Sequence, residues 1–231
     1  VAVFLANGGD DERSLKVADT IDDMGKKAYS LGKIAEALAH AGEREQSKMV
    51  FDRALTTASS IEGESHRAEA LGEMGEALAH AGERDQSELV IERALETAEI
   101  IDDVGEKAYA LRKIAQALAR AGKQEQSKMV FNQAVSAASN IKDEEYKAFT
   151  LREIAETMAC AGEGEQAEEV FDRALETAES IDDVIYKMNA LKEIAESLAH
   201  VGEHKRALET AESIDDANDK AYALGEIAEA L

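Results

Sequence analysis

Apolar residues recur along this chain at the spacing of one helix face, and the pattern itself returns every 40 residues. In residues 21–60 the first apolar stripe comprises Ala28, Leu31, Ile34, Ala35, Leu38 and Ala39. The second stripe comprises Val50, Phe51, Ala54, Leu55 and Ala58. Such spacing predicts two amphipathic helices, because residues three and four positions apart share a face. Each block is therefore predicted to form one helical hairpin.

Residues at the block boundaries predict where the helices begin and end. Asp22 and Asp23 follow Ile21 at the start of the block, and an Asp before an apolar stripe is typical of a helix N-cap. Gly42 separates the two stripes, and glycine readily adopts the left-handed conformation that ends a helix. We therefore expect a first helix ending near Gly42 and a second helix starting at Glu43.

The block recurs in succession, so the chain is predicted to be a single repeat array over residues 1–231. Residues 21–60 and 101–140 agree at 26 of 40 positions. A fixed period of this size predicts an all-α solenoid, in which each hairpin packs against its neighbours. The segments are a partial repeat over 1–20, repeats over 21–60, 61–100, 101–140 and 141–180, a short repeat over 181–213, and a partial repeat over 214–231.

The short repeat lacks seven residues of its second helix, between Gly202 and Arg206. Seven residues are nearly two turns, so the apolar stripe is expected to stay in register. Residues 1–20 align with residues 194–213, and both chain ends fall inside a predicted first helix without a polar capping helix. We expect these ends to belong to a longer array or to associate end to end.

The charge and composition of the chain limit the classes of molecule that it is expected to bind. The net charge is −23, which repels nucleic acid and anionic membranes and favours basic or mixed-charge partners; a high-salt environment is an alternative explanation. No apolar run is long enough to span a bilayer and no signal peptide is seen. With a single cysteine, Cys160, a reducing cytoplasmic location is expected.

The block resembles the tetratricopeptide repeat, whose pattern is W-x2-L-G-x2-Y followed by A-x3-F and P. The best-matching copy places Leu151, Ile154, Ala155, Met158, Gly162, Ala167, Phe171 and Ala174 on that pattern. The Trp and Tyr positions are aliphatic here, the closing proline is absent, and most copies are longer than the family's. HEAT-type repeats, with a similar period, are the alternative. The resemblance implies a right-handed superhelix of antiparallel hairpins.

The resemblance also implies that the first helices line a groove that binds peptides or protein segments. We expect the groove residues to be Tyr109, Arg112, Gln116, Arg120, Phe149, Arg152 and Glu156. Arginine and aromatic residues are common interface anchors, and arginine binds carboxylates. An acidic or C-terminal peptide is therefore one hypothesis for the ligand, and an ordinary solvated face is the alternative. A self-assembling array that associates through its open ends is the alternative function.

The sequence predicts no catalytic residues, metal or cofactor. His40, His80 and His200 each follow a Glu by four residues, but they lie in different repeats and are not expected to converge on one metal. No phosphate-binding loop, dinucleotide fingerprint or nucleophile elbow is present in the sequence. We therefore expect a non-catalytic protein-interaction scaffold.

Overall fold

The computed structural model describes residues 11–214 and 216–230, and over these residues it contains helices and no strands. The helices are α1 (Asp11–Asp19), α2 (Met24–His40), α3 (Arg44–Ser59), α4 (Glu64–His80), α5 (Arg84–Glu99), α6 (Val104–Arg120), α7 (Gln124–Ser139), α8 (Glu144–Cys160), α9 (Gly164–Glu179), α10 (Val184–His200), α11 (His204–Glu212) and α12 (Ala217–Ala230). Even-numbered helices are the predicted first helices. The predicted match of residues 1–20 to residues 194–213 lies partly outside the described residues, which begin at residue 11.

The predicted aspartate N-caps are confirmed at four first helices. The side chains of Asp23, Asp103, Asp143 and Asp183 each accept hydrogen bonds from backbone N–H groups in the first turn of α2, α6, α8 and α10. Helix α4 differs, because its N-cap is Gly63, which has φ 87° and no side chain to accept such a bond. The shared aspartate therefore fixes where most first helices begin.

The predicted glycine turns are also confirmed. Gly42 has φ 85°, and the turn glycines of the later copies have φ between 76° and 90°. The N–H of Glu43 donates to the carbonyl of Leu38 at 2.9 Å, and the N–H of Gly42 donates to Ala39 at 3.0 Å. These bonds satisfy carbonyls that the end of α2 would otherwise leave open, and they turn the chain directly into α3.

The predicted apolar stripes form the core, and small residues let the helices of a hairpin approach closely. Phe51 on α3 is 2% exposed, and the hydroxyl of Ser47 donates to the carbonyl of Ala35 on α2 at 2.7 Å. At the equivalent of Ala35 in the next hairpin, a Cβ on Gly75 would lie only 2.4 Å from Cγ1 of Ile91. Close packing therefore explains the glycine within α4.

The helices form two compact units, residues 1–130 and residues 131–231, which we call unit 1 and unit 2. In unit 1, α2 packs on α3 and α4, and α4 packs on α5 and α6. In unit 2, α8 packs on α9 and α10, and α10 packs on α11 and α12. The first helices α2, α4, α8 and α10 thus each contact their own second helix and the next first helix of the same unit. The predicted all-α array of antiparallel helical hairpins is confirmed within each unit.

The short repeat keeps its register, as predicted. Helix α11 has 9 residues where α9 has 16, so the missing residues shorten the second helix. Ala207, Ala211 and Ile214 are nevertheless fully buried. Within the described residues, no helix has the length and apolar character needed to cross a membrane.

Candidate peptide-binding surface

The seven residues predicted to line a groove lie on two first helices that belong to different units. Tyr109, Arg112, Gln116 and Arg120 lie on α6 in unit 1, whereas Phe149, Arg152 and Glu156 lie on α8 in unit 2. A single groove formed by all seven residues stays a prediction.

The arginines on α6 are engaged by neighbouring side chains. Arg112 is buried, at 9% exposure, and its guanidinium carbon lies 5.3 Å from the centroid of the Tyr109 ring. Nη1 of Arg120 lies 3.7 Å from Oε2 of Glu76 on α4. The Tyr109 hydroxyl donates to Oε2 of Glu69 at 2.8 Å. The α6 side chains therefore serve contacts between adjacent first helices within unit 1.

Three carboxylates on α4, Glu69, Glu73 and Glu76, make this part of unit 1 acidic. Burial, together with the nearby Glu69 carboxylate, raises the pKa of Glu73 to about 7 against the opposing charge of Lys113. Burial also raises the pKa of Tyr109 far above its ordinary value, as does its hydrogen bond to Glu69. The ionised form of Glu73 is thus disfavoured, because its surroundings supply little water and additional negative charge.

Charged pairs also link α2 to α4. Lys33 Nζ lies 2.9 Å from Glu36 and 4.0 Å from Glu76, and His80 Nδ1 lies 3.3 Å from Glu36 Oε1. The His40 imidazole lies 3.9 Å from the same Glu36 carboxylate. Over residues 11–214 and 216–230, no group of three or more His, Cys, Asp or Glu side chains is placed to hold a metal ion.

Arg152 is the centre of the α8 group in unit 2. Its guanidinium carbon lies 4.8 Å from the centroid of the Phe149 ring, its Nη1 lies 3.4 Å from Glu156, and its Nη2 lies 3.5 Å from Glu193 on α10. Nη1 also donates to the Ser197 hydroxyl at 3.0 Å, and that hydroxyl donates to Glu156 at 3.1 Å. Two carboxylates therefore already neutralise this arginine, and an acidic ligand would have to compete with them.

An aromatic groove lies between α8 and α10, and we call it the α8–α10 groove. Tyr146, Phe149 and Tyr186 line it and are 43%, 41% and 49% exposed. Its polar lining comprises Asp143, Glu145, Arg152, Asn189 and Glu193. Exposed aromatic clusters with a polar rim are typical of surfaces that contact a partner. This groove is the strongest candidate site in unit 2.

The sequence prediction missed Tyr146 and Tyr186. Tyr146 lies three residues before Phe149, the first predicted groove residue on α8, and Tyr186 occupies the equivalent position on α10. Both lie in the opening turn of a first helix, and this turn also borders the groove. The available signal was a change of residue type, because the first two repeats hold Lys26 and His66 at these positions.

Unit 1 contains the equivalent groove between α2 and α4, which we call the α2–α4 groove. Each of its lining residues lies 120 residues before a lining residue of the α8–α10 groove: Asp23, Gly25, Lys26, Tyr29, His66, Glu69, Ala70 and Glu73. Tyr29 is the only aromatic ring in this lining other than the His66 imidazole. The same place in the fold thus carries a charged groove in unit 1 and an aromatic groove in unit 2.

Solved structures similar to this chain include three helical proteins at low sequence identity. Ton1535 from Thermococcus onnurineus NA1 is 17% identical, with a TM-score of 0.42 over 95% of this chain and 84% of that one. A Podosopora anserina protein with nearly identical TPR-like repeats, described as a kinesin light chain, is 13% identical, with a TM-score of 0.43 over 91% and 97%. BtubC (BKLC) from P. vanneervenii is 12% identical, with a TM-score of 0.44 over 100% and 91%.

No protein-family model matches the chain, and no curated protein matches it in sequence. The assignment of an all-α helical-hairpin repeat therefore rests on the chain's own caps, turns and helix packing.

Proposed function

We propose that the chain is a non-catalytic scaffold that binds a peptide or protein segment on the surface of its first helices. The observation that carries this proposal is the α8–α10 groove, where Tyr146, Phe149 and Tyr186 are each more than two-fifths exposed. Leaving three neighbouring rings in water forgoes the free energy of burying them, which a bound partner would recover. Aromatic anchors also dominate the binding energy of many protein interfaces.

The size of the groove favours a peptide over a whole small molecule. Its volume is about 230 Å³, below the roughly 300–1,000 Å³ of pockets that enclose drug-sized ligands. It is also partly open to solvent, so a segment of chain can lie across it with one or two side chains inserted. The further part of the hypothesis, a ligand that spans both α6 and α8, stays a prediction.

A selection from a displayed library of random peptides tests the proposal. The full chain serves as bait, and the peptides recovered are measured against a Phe149→Ala variant by fluorescence polarisation. We expect this variant to weaken binding about tenfold or more, as expected for loss of an aromatic anchor. Circular dichroism and urea unfolding of each variant establish that the fold is retained.

The matched control is Tyr29→Ala in the α2–α4 groove. Tyr29 occupies the position equivalent to Phe149, is 44% exposed, and likewise has a cation near its ring, Lys33 Nζ at 6.0 Å. The Tyr29→Ala variant should leave binding of the same peptides unchanged. Recovery of no peptide would refute the proposal, and growth of the chain's own assemblies with concentration would then favour the self-associating alternative.

A further inference from the structure

Aromatic rings on the first helices are repeatedly paired with a cation from the protein itself. Lys33 lies 6.0 Å from the Tyr29 ring centroid, and Lys192 lies 5.0 Å from that of Tyr222. The rings of Tyr109 and Phe149 have arginine guanidinium carbons at 5.3 Å and 4.8 Å. A cation over a ring face is attracted by the negative charge density of that face. The pairing recurs in both units and is therefore a general feature of the surface formed by the first helices.

Tyr186 departs from this pattern. Its ring is 49% exposed and lines the α8–α10 groove, yet in the described part of the chain no lysine or arginine lies over it. The Tyr186 side chain thus offers an open aromatic face to the groove.

The charges around this ring favour a cation. The groove lining holds three carboxylates, Asp143, Glu145 and Glu193, against one cation, Arg152. Arg152 is already paired with Glu193 and with Glu156 on its own helix. The net field in the groove is therefore negative, in a chain whose total charge is −23. A positively charged group moving toward Tyr186 gains both from the ring and from these carboxylates.

We propose that the α8–α10 groove recognises a basic segment of a partner protein, with a lysine or arginine side chain of that segment seated over the Tyr186 ring. The inference rests on the proposed function, since it names the chemistry of the segment that this groove binds. The cation supplies the partner that the rings of Tyr29, Phe149 and Tyr222 find within their own chain. The rings of Tyr146 and Phe149 flank this cation and contact the apolar part of the same segment.

Two substitutions at Tyr186 separate a cation–ring contact from other roles. Tyr186→Phe keeps the aromatic face and removes the hydroxyl, so binding should stay within about twofold of the unsubstituted chain. Tyr186→Leu keeps an apolar side chain of similar reach but removes the ring, so binding should weaken about tenfold. The probes are the peptides recovered in the selection described above. A simple apolar contact would give equal affinities for the two variants and would overturn the inference.

Composition and substitution of the recovered peptides provide the complementary measurement. We expect the recovered peptides to be enriched in Lys and Arg over the starting library. Replacing the responsible lysine by norleucine, or arginine by citrulline, should weaken binding about tenfold to the unsubstituted chain. The same replacement should have little effect on binding to the Tyr186→Leu variant, because the contact is already absent there.

His66→Leu in the α2–α4 groove is the matched control, because His66 occupies the position equivalent to Tyr186. It should leave the affinity unchanged. Peptides enriched in Asp and Glu, or neutral peptides insensitive to Tyr186→Leu, would overturn the basic-segment inference while leaving peptide binding itself intact. Failure to recover any peptide would refute both the inference and the proposed function.

Discussion

The α2–α4 and α8–α10 grooves occupy the same place in the repeat but present different chemistry. Both are bordered by an N-capping aspartate, Asp23 or Asp143, and by the face of the following first helix. The unit 1 groove has Lys26 and His66 where the unit 2 groove has tyrosines. The buried positions fix the shape of a groove, and the exposed positions can then vary its ligand without disturbing the core. Their comparison separates the framework of the repeat from the surface that we propose for recognition.

The largest expected effect tests whether hairpins in unit 1 and unit 2 share the same buried framework. Phe51 in unit 1 and Phe171 in unit 2 are equivalent and are 2% and 1% exposed. Replacing either by Ala should lower the free energy of unfolding by about 3–5 kcal/mol, because a large cavity is left in a packed hairpin. Urea unfolding followed by circular dichroism measures both. Losses that differ by more than about 2 kcal/mol would show that the two hairpins do not share one framework.

A smaller effect should appear at Glu73, whose folded-state pKa is raised to about 7 by burial and by Glu69. A carboxyl with a raised folded-state pKa stabilises the fold fully at pH values below its unfolded pKa and loses that contribution as pH rises through about 7. Glu73→Gln should therefore raise the free energy of unfolding by on the order of 1 kcal/mol at about pH 8, a value reduced for partial exposure. Near pH 4 the substitution should have little effect.

Urea unfolding across this pH range measures the Glu73 effect, and Glu193→Gln provides the comparison in unit 2. Glu193 occupies the equivalent position but pairs with Arg152 at 3.5 Å. Its replacement should not stabilise the chain at about pH 8, because it removes an ion-pair partner from Arg152. A gain equal to that of Glu73→Gln would contradict the assigned difference between the grooves.

The smallest expected effect is a gain of binding in unit 1. A Lys26→Tyr, His66→Tyr variant gives the α2–α4 groove the two tyrosines of its equivalent. It should acquire weak binding of the peptides selected by the full chain, with an affinity gain below about fivefold at that groove. Isothermal titration with Phe149→Ala in the background isolates this second site. Absence of any gain would show that the aromatic rings alone do not determine the ligand.

Much of the fold was predictable because each local signal agreed with the repeat. The aspartate caps, Gly42 and the apolar stripe that includes Leu31 each act over one or two helical turns. Because these signals recur every 40 residues, each copy supports the same helix assignment. The glycine at position 75 fits the same close packing, because a side chain there would collide with Ile91. Local sequence signals that recur at the same positions of each repeat are therefore sufficient to predict the helical hairpins.

The recognition surface was less predictable, because it depends on contacts between successive first helices. The pairing of Arg152 with Glu156 follows from helical spacing, but its pairing with Glu193 requires the packing of α8 on α10. With 49 acidic residues in the chain, the sequence alone does not select the relevant partner. The contribution of Tyr186 likewise becomes visible only when the rings already paired with cations are identified.

The short helix α11 has a consequence for how such an array changes in length. Ala207, Ala211 and Ile214 stay buried although α11 is 9 residues long and α9 is 16. A deletion of seven residues, nearly two helical turns, therefore removes one segment of a hairpin and preserves the side of the helix that meets the core. Insertions and deletions of this step offer evolution, and protein engineers, a way to resize a repeat without redesigning its packing.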